Sequence, residues 1–293
     1  VVGVGLPTDS MRNIRHIESK IVLHRVDLCA YRDVEEIVAT AEPDHIFHLA
    51  AQASVQRAWQ DPAATLINNV VAELNLLRAV VACDLDPRIL VVGSADEYGL
   101  VENEDLPVGE DTSLRPLNPY AVSKIAQDYL GYQYHLSHEL EVVRVRPFNH
   151  TGPRQGPGFV VPDFCRQIAM IEDGCQKPIM RVGNLQARRD FSDVRDVVRA
   201  YHLALTKGEP GEVYNIGSSR AYSIREILDL LLAWSKVPIQ VEQDPERMRP
   251  SDVPVMACDS RRFRKATGWR PRYKMERTLR DTLDYWRDQI VGD

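Results

Sequence analysis

Long apolar runs are missing from this chain. No uninterrupted stretch reaches the ~18 residues of a membrane span, and no signal-peptide pattern opens the sequence, so no membrane partner is expected. Cysteine is scarce: five residues in 293 (Cys29, Cys83, Cys165, Cys175 and Cys258), scattered and odd in number. No pair has metal-ligand spacing, so neither a disulfide framework nor a metal centre is expected. The thiols read as those of a reduced, cytoplasmic protein. An excess of positive charge is also lacking. Lys and Arg number 36 against 42 Asp and Glu, a net charge of −6, which does not suit a nucleic-acid surface. Internal repeats and low-complexity tracts are absent as well. What is present is ordinary globular composition, 44% hydrophobic and 27% charged. The length suits one large α/β domain or a domain with a smaller lobe.

Short apolar runs alternate with amphipathic stretches. "KIVLHRV" (20–26) reads as a strand, and "DVEEIVATAEP" (33–43) as a helix capped by Asp33 and stopped at Pro43. "HIFHLAA" (45–51) reads as a buried strand ending in small residues, and "RILVVGS" (88–94) as another ending in Gly93 and Ser94. Long helical patterns cover 62–83 and 119–138, and "EVVRVRP" (141–147) follows as a strand. This alternation predicts a doubly wound, Rossmann-like α/β fold with a parallel sheet. After Asn149 the rhythm loosens into a Gly- and Pro-rich loop, which predicts a smaller second lobe. The expected division is a dinucleotide-binding domain at 1–155, rejoined by 190–222, and a substrate lobe at 156–189 and 223–293.

In such sheets, ligands sit beyond the carboxyl ends of the strands. "HLAA", "GSADEYG" and the start of the helix opening "NPYAVSK" (118–124) all fall there. Tyr120 and Lys124 lie four apart, so a helix places both on one face. With Ser94 they form a trio suited to moving a proton at an alcohol oxygen. A cationic lysine one turn away favours the phenolate, and the serine hydroxyl bonds the same oxygen. Hydride would move at the adjacent carbon, to or from a nicotinamide. A Tyr-x-x-x-Lys spacing alone carries little, because a solvated helix face has it too. The strand context is what favours function.

The ordered set "HLAAQ", "GSADEYG", "NPYAVSK", "RPFNHTGPRQ", "RRDFSDVRDVVRAY", "EVYNIGS" and "TGWRPRY" resembles the extended short-chain dehydrogenases/reductases that act on nucleotide sugars. "FNHTGPRQGPGFV", "VGNLQARRDF" and "RMRPSDVP" are similar to the GDP-sugar branch. That resemblance implies roles for individual residues. Asn149 would lie near the sugar or phosphates, Asn184 and Leu185 near guanine, Arg189 and Arg249 on phosphate, and Asp252 on ribose. Arginine forks suit phosphate oxygens. Leu49, Ala50 and Ala51 would line the cofactor, with Asp27 and Leu28 near its adenine.

Two activities compete within the branch. One is 4,6-dehydration of GDP-mannose. The other is reduction of the resulting 4-keto-6-deoxy sugar to GDP-D-rhamnose. Dehydration needs a further acid/base, a glutamate in the family, at the position that is Asp96 here. Its shorter arm favours reduction, and a strand-like backbone would turn Glu97 away. The resemblance also implies a homodimer through the two long helices. A non-catalytic nucleotide-sugar-binding homologue is the alternative of another class.

The opening "VVGVGLPTDS" is a poor dinucleotide fingerprint. Thr8 stands where a third glycine would let a helix pack closely. The stretch instead resembles the family's second strand, so the first strand and glycine-rich loop are expected to be missing from these residues. An incomplete sequence would account for that, and the chain as given is then expected to be a poor enzyme. No acid closes this strand, while Arg12 and Arg15 lie close enough to meet a 2′-phosphate. The expected cofactor is therefore NADP(H), with NAD(H) as the alternative.

Overall fold

The structure is a computed structural model that describes residues 1–247 and 253–290. The chain divides into two compact units. The first holds Val1–Gly99, Leu114–Arg146 and Leu203–Tyr214; the second holds Leu100–Ser113, Pro147–His202 and Asn215–Asp293.

In the first unit, β1 (Val2–Gly5) pairs in parallel with β2 (Val22–Arg25), from Val2 opposite Val22 to Gly5 opposite Arg25. A separate sheet has the order β3-β4-β5-β9, with β3 at His45–His48, β4 at Arg88–Val92, β5 at Val142–Pro147 and β9 at Val213–Ile216. β3 pairs in parallel with β4, and β4 with β5. The β-branched runs "RILVV" and "VVRVRP" suit central strands, and most of their residues are buried. β3 departs from the expected buried strand. It borders the sheet, and Phe47 is 41% exposed. With no strand on its outer side among the described residues, alternate side chains meet solvent.

Helix α1 (Tyr31–Ala41) packs on α4 (Ala72–Ala82). Val34, Val38, Leu77, Val80, Ile89, Val91 and Val142 share one apolar core. The start of α1 corrects the sequence reading: Ala30 is the cap residue, and Asp33 lies inside the first turn. There its charge favours the helix dipole without capping it. After α2 (Val55–Gln60), Asp61 caps α3 (Pro62–Leu66) by accepting the Ala64 N–H at 2.9 Å. One π turn, Ile67–Val71, then leads into α4. The continuous stretch Pro62–Ala82 is long and apolar enough to cross a membrane by composition, with mean hydropathy 1.3, but half of it is buried in the core. α5 (Pro119–His138) begins as its sequence dictates: Asn118 accepts the Ala121 N–H at 2.8 Å, and Pro119 follows as the first helical residue.

In the second unit, β6 (Asn149–Thr151) and β8 (Arg188–Asp193) pair in parallel. β8 also lies between β10 (Ala221–Ser223) and β12 (Val255–Met256). β7 (Ile179–Val182) pairs with β11 (Gln240–Gln243). The apolar core collects Phe164 and Ile168 of α6 (Val160–Glu172), Ile227 and Leu231 of α8 (Ile224–Leu232), and Leu279 and Leu283 of α10 (Met275–Ile290). α7 (Val194–Lys207) and α9 (Arg261–Thr267) complete the helices described.

Candidate functional site

The carboxyl end of β4 organises the site in the first unit. After Val92, Gly93 allows the chain to fold back, since a Cβ there would collide with the Glu97 carboxylate and press on the Val145 carbonyl. Ser94 then caps a 3-10 turn at Ala95–Glu97. Its Oγ accepts the Asp96 N–H at 3.1 Å, which leaves its own O–H free to donate. Glu97 Oε1 accepts the Ser94 N–H at 2.7 Å and completes a capping box. The turn ends at Gly99, whose φ of +56° and close approach to the Arg115 carbonyl exclude a side chain.

Glu97 does not follow the strand-like backbone expected of it. No strand continues here. The 3-10 turn folds its side chain inward, where Arg146 Nε lies 3.0 Å from Oε2. Arg146 and Arg144 also bind Asp128, each at 2.6 Å. Burial, with Asp128 close by, holds the Glu97 carboxyl well above its ordinary value, and Arg146 works in the opposite direction. Asp96 is half-buried on the same turn.

Tyr120 and Lys124 lie in the first turns of α5, both buried. Lys124 Nζ donates to the Val92 carbonyl at 2.7 Å, two residues before Ser94. The lysine is thereby tied to the strand end that carries the serine. Burial pulls the Lys124 ammonium down to about 8, against the opposing pull of Glu73 and Glu97. Ser123, between the two, accepts a hydrogen bond from Asn69 Nδ2 at 2.9 Å and donates to the Tyr120 carbonyl at 2.7 Å. Asn69 Oδ1 in turn accepts the Gln52 N–H at 2.7 Å, just past "HLAA". Neither Asn69 nor Ser123 was singled out from the sequence. An asparagine on the apolar face of a helix was the available signal.

The other expected cofactor contacts lie at strand ends. Leu49 is 59% exposed, Ala50 is exposed and Ala51 half-buried beyond β3. Asp27 follows β2, and its Oδ1 accepts the Cys29 N–H at 2.9 Å. The buried Asn75 amide donates to the Leu28 and Cys29 carbonyls at 2.9 Å each, fixing that segment. Arg12 is exposed. After β1 the chain makes a turn in which Leu6 N–H meets Asp9 Oδ2 at 3.1 Å, and Arg25 donates to the Pro7 and Asp9 carbonyls. Only a six-residue 3-10 helix follows, Arg15–Lys20. Gly3 and Gly5 belong to the strand itself. The described residues thus fit the nicotinamide side of a dinucleotide. The opening turn supplies no helix N-terminus for its diphosphate.

Four of the expected substrate residues lie in the second unit. Asn149 is exposed at the start of β6. Asn184 Oδ1 accepts the Gln186 N–H at 2.9 Å. The Leu185 side chain joins the apolar core, so what it offers a base is backbone. Arg189 is half-buried and donates to the Arg188 carbonyl at 2.9 Å and the Val253 carbonyl at 2.6 Å. Arg249 and Asp252 lie outside the described residues. Among the described residues, no group of three or more His, Cys, Asp or Glu is placed to hold a metal ion.

Comparison with known proteins agrees with this geometry. Residues 6–282 match the family model described as GDP-mannose 4,6 dehydratase. The chain is 38% identical over 269 residues to GDP-6-deoxy-D-mannose reductase of Pseudomonas aeruginosa, covering 92% of this chain and 88% of that protein. It is 29% identical over 271 residues to GDP-mannose 4,6 dehydratase 2 of Arabidopsis thaliana, covering 89% and 70%. Among solved structures, RMD from Pseudomonas aeruginosa complexed with NADPH superposes with a TM-score of 0.89 at 34% identity, over 98% of this chain and 99% of that one. UDP-glucose 4-epimerase of Thermus thermophilus complexed with NAD superposes with a TM-score of 0.86 at 28% identity, over 98% and 91%. With the Ser94, Tyr120 and Lys124 arrangement on a Rossmann-like fold, these matches establish that the chain belongs to the GDP-mannose 4,6-dehydratase family, within the extended short-chain dehydrogenases/reductases.

Proposed function

We propose that this protein reduces the 4-keto group of GDP-4-keto-6-deoxy-D-mannose to give GDP-D-rhamnose, using NADPH. The choice of reduction over dehydration is carried by the acid/base position, which holds the shorter Asp96, while its neighbour Glu97 cannot stand in for it. The Glu97 carboxylate is fully buried, bonded to the Ser94 N–H and paired with Arg146, so it is withdrawn from service as an additional acid/base. The 38% identity to GDP-6-deoxy-D-mannose reductase of Pseudomonas aeruginosa supports the same reading.

The bound cofactor supplies hydride to C4 of the sugar. The chain's own residues manage the oxygen. Tyr120 donates its phenolic proton to the forming alkoxide, and the Ser94 hydroxyl hydrogen-bonds that oxygen. The Lys124 ammonium stabilises the phenolate left behind. Hydride plus proton converts ketone to alcohol, so one NADPH is consumed per sugar. Asn149, Asn184, Leu185 and Arg189, with Arg249 and Asp252, are assigned to the GDP-sugar.

The functional protein is proposed to be a cytoplasmic homodimer. Val122, Tyr129 and Leu136 recur every seventh residue on α5 at 45%, 54% and 63% exposure, and Ile67 is 57% exposed. Such an apolar stripe suits a second copy of the chain. Free thiols at all five cysteines suit a reducing compartment.

Incubation with NADPH and the 4-keto-6-deoxy sugar, followed by NMR of the product, tests the activity. Stoichiometric NADPH oxidation with formation of the 4-hydroxy sugar is expected. Conversion of GDP-mannose to the keto sugar without net cofactor consumption would instead assign dehydration, with Asp96 as the additional acid/base.

A further inference from the structure

Glu97 takes no part in the reaction above, yet it is completely buried and bonded to a residue that does. Its Oε1 accepts the Ser94 N–H at 2.7 Å. Its Oε2 lies 3.0 Å from Arg146 Nε, and that nitrogen donates to Asp128 Oδ2 at 2.6 Å. The single Nε–H goes to Asp128, so Glu97 Oε2 touches Arg146 without a hydrogen bond. Arg146 also donates to the Tyr98 hydroxyl at 3.2 Å, and Asp128 Oδ1 accepts from Arg144 at 2.6 Å. A path of polar contacts therefore runs from Asp128 on α5, through Arg146 on β5 and Glu97, to the backbone of Ser94. Its four charged groups, Glu97, Asp128, Arg144 and Arg146, are all buried.

The starting point of this path matters. Tyr120, Lys124 and Asp128 are spaced by four along α5 and share one face. Lys124 Nζ holds the Val92 carbonyl at 2.7 Å, and the path from Asp128 ends on the Ser94 N–H two residues later. The carboxyl end of β4 is thus tied at two points to the helix that carries the phenol. Gly93, between them, donates its N–H to the Val145 carbonyl at 2.8 Å, and a Cβ there would collide with Glu97 Oε1. The strand end lacks a side chain where this carboxyl passes. A leucine at position 97 would fill the interior without burying a carboxyl. What it could not do is accept the Ser94 N–H. Charged or protonated, the carboxyl offers an oxygen for that bond, so the role does not depend on which form is present.

We propose that Glu97 is a positioning residue: through the Ser94 N–H it fixes where the Ser94 hydroxyl stands relative to the Tyr120 phenol, while Arg146 and Asp128 hold Glu97 in place. The proposal rests on reading Ser94 and Tyr120 as the pair that handles the substrate oxygen. Ser94 Oγ accepts the Asp96 N–H at 3.1 Å, so the direction left to its O–H follows the backbone at this residue. A misplacement of about 1 Å in a reacting constellation can cost about a hundredfold in rate.

The test is a double-mutant cycle on ketone reduction, with NADPH and GDP-4-keto-6-deoxy-D-mannose, beside hydrogen exchange at the Ser94 amide in the ligand-free protein. Glu97→Leu is expected to lower kcat about tenfold, to leave KM for both substrates within about twofold, and to speed Ser94 exchange. Glu97→Gln, which keeps an acceptor oxygen, should regain most of the lost kcat. In a Ser94→Ala background, Glu97→Leu should lower kcat by less than about twofold more, because the hydroxyl it places is already gone. Glu97→Met, also without an oxygen, replaces Glu97→Leu should that variant fail to fold. Losses that multiply in the double variant overturn the proposal, because they mark a general loosening of the site. So does Ser94 exchange or kcat that stays parental in Glu97→Leu, and so does Glu97→Gln as slow as Glu97→Leu. Faster Ser94 exchange in a protein without ketone reductase activity keeps the restraint on Ser94 and removes the reductase reading instead.

Discussion

Among the wholly buried carboxylates of the described residues, Asp190 and Glu73 are treated in opposite ways. Asp190, on β8 in the second unit, is surrounded by donors: the Ser218 N–H at 2.8 Å, the Ser218 hydroxyl at 2.6 Å, the Ser219 N–H at 2.8 Å and the Cys258 N–H at 3.2 Å. Glu73, in the first unit, has no donor on either oxygen. A satisfied buried carboxylate is scaffold. It pins the 218–219 turn and the segment at Cys258 to one strand, and its loss would leave three N–H groups, the buried Cys258 N–H among them, without their acceptor. An unsatisfied one is held in place by the rest of the fold, and burial raises the Glu73 carboxyl well above its ordinary value. The difference teaches that burial alone does not make a carboxylate part of the scaffold; the donors around it decide.

Asp190→Ala attacks the scaffold side of this comparison and should have the largest effect. It orphans three backbone N–H groups and a hydroxyl, and should lower stability by about 3 kcal/mol or more. Urea denaturation measures it. A loss below about 1 kcal/mol would erase the contrast with Glu73. Tyr120→Phe attacks the functional side. Turnover should fall about a hundredfold or more, because a positioned proton donor is gone. Stability and GDP-sugar binding should hardly change, since little volume is removed. Near-parental turnover would remove Tyr120 from the mechanism.

The pH dependence sharpens the same contrast. Lys124 is held at about 8, chiefly by burial. Its ammonium is present below that pH and lost above it, so turnover should be level near neutrality and fall as pH rises through about 8. The linked stability has the opposite sense. Between about 8 and the ordinary lysine value near 10.4, the unfolded chain holds the proton that the folded chain has released. Stability therefore rises with pH across that window, and Lys124→Met should abolish the rise. The smallest effect expected is on melting. Glu73→Gln should shift Tm by no more than about 3 °C, because no hydrogen bond is lost. Asp190→Asn, which trades an acceptor oxygen for a donor amide, should lower it further than that.

Much of the site was legible in the sequence because it is local. "NPYAVSK" carries its own helix start, with Asn118 as cap and Pro119 behind it, so the four-residue spacing of Tyr120 and Lys124 translated directly into one helix face. Ser94 followed from a β-rich run closed by Gly93. Glu73 was legible only in part. It stands on the same helical face as Asn69, Leu76 and Val80, an acid among buried residues, but its polar neighbours depend on α5 and β3 packing against α4. Arg189 shows what only the fold adds: its sequence setting suggested phosphate, and the structure anchors one guanidinium nitrogen on the Arg188 and Val253 carbonyls. The exposed face of β3 was also invisible, because a run such as "HIFH" has the same composition at a sheet border as in its centre.

The sequence by itself determined the parallel α/β pattern, the start of α5, the place of Ser94 at a strand end and of Tyr120 and Lys124 on one helix. Each is set by contacts within a few residues: strand alternation, a cap, a helical turn. The inward fold of Glu97, the lowered Lys124 and the contrast between Asp190 and Glu73 were decided by tertiary structure alone. These depend on which charges and donors meet inside the core. There desolvation and Coulomb interactions act between residues distant in the chain, and no local pattern records their partners.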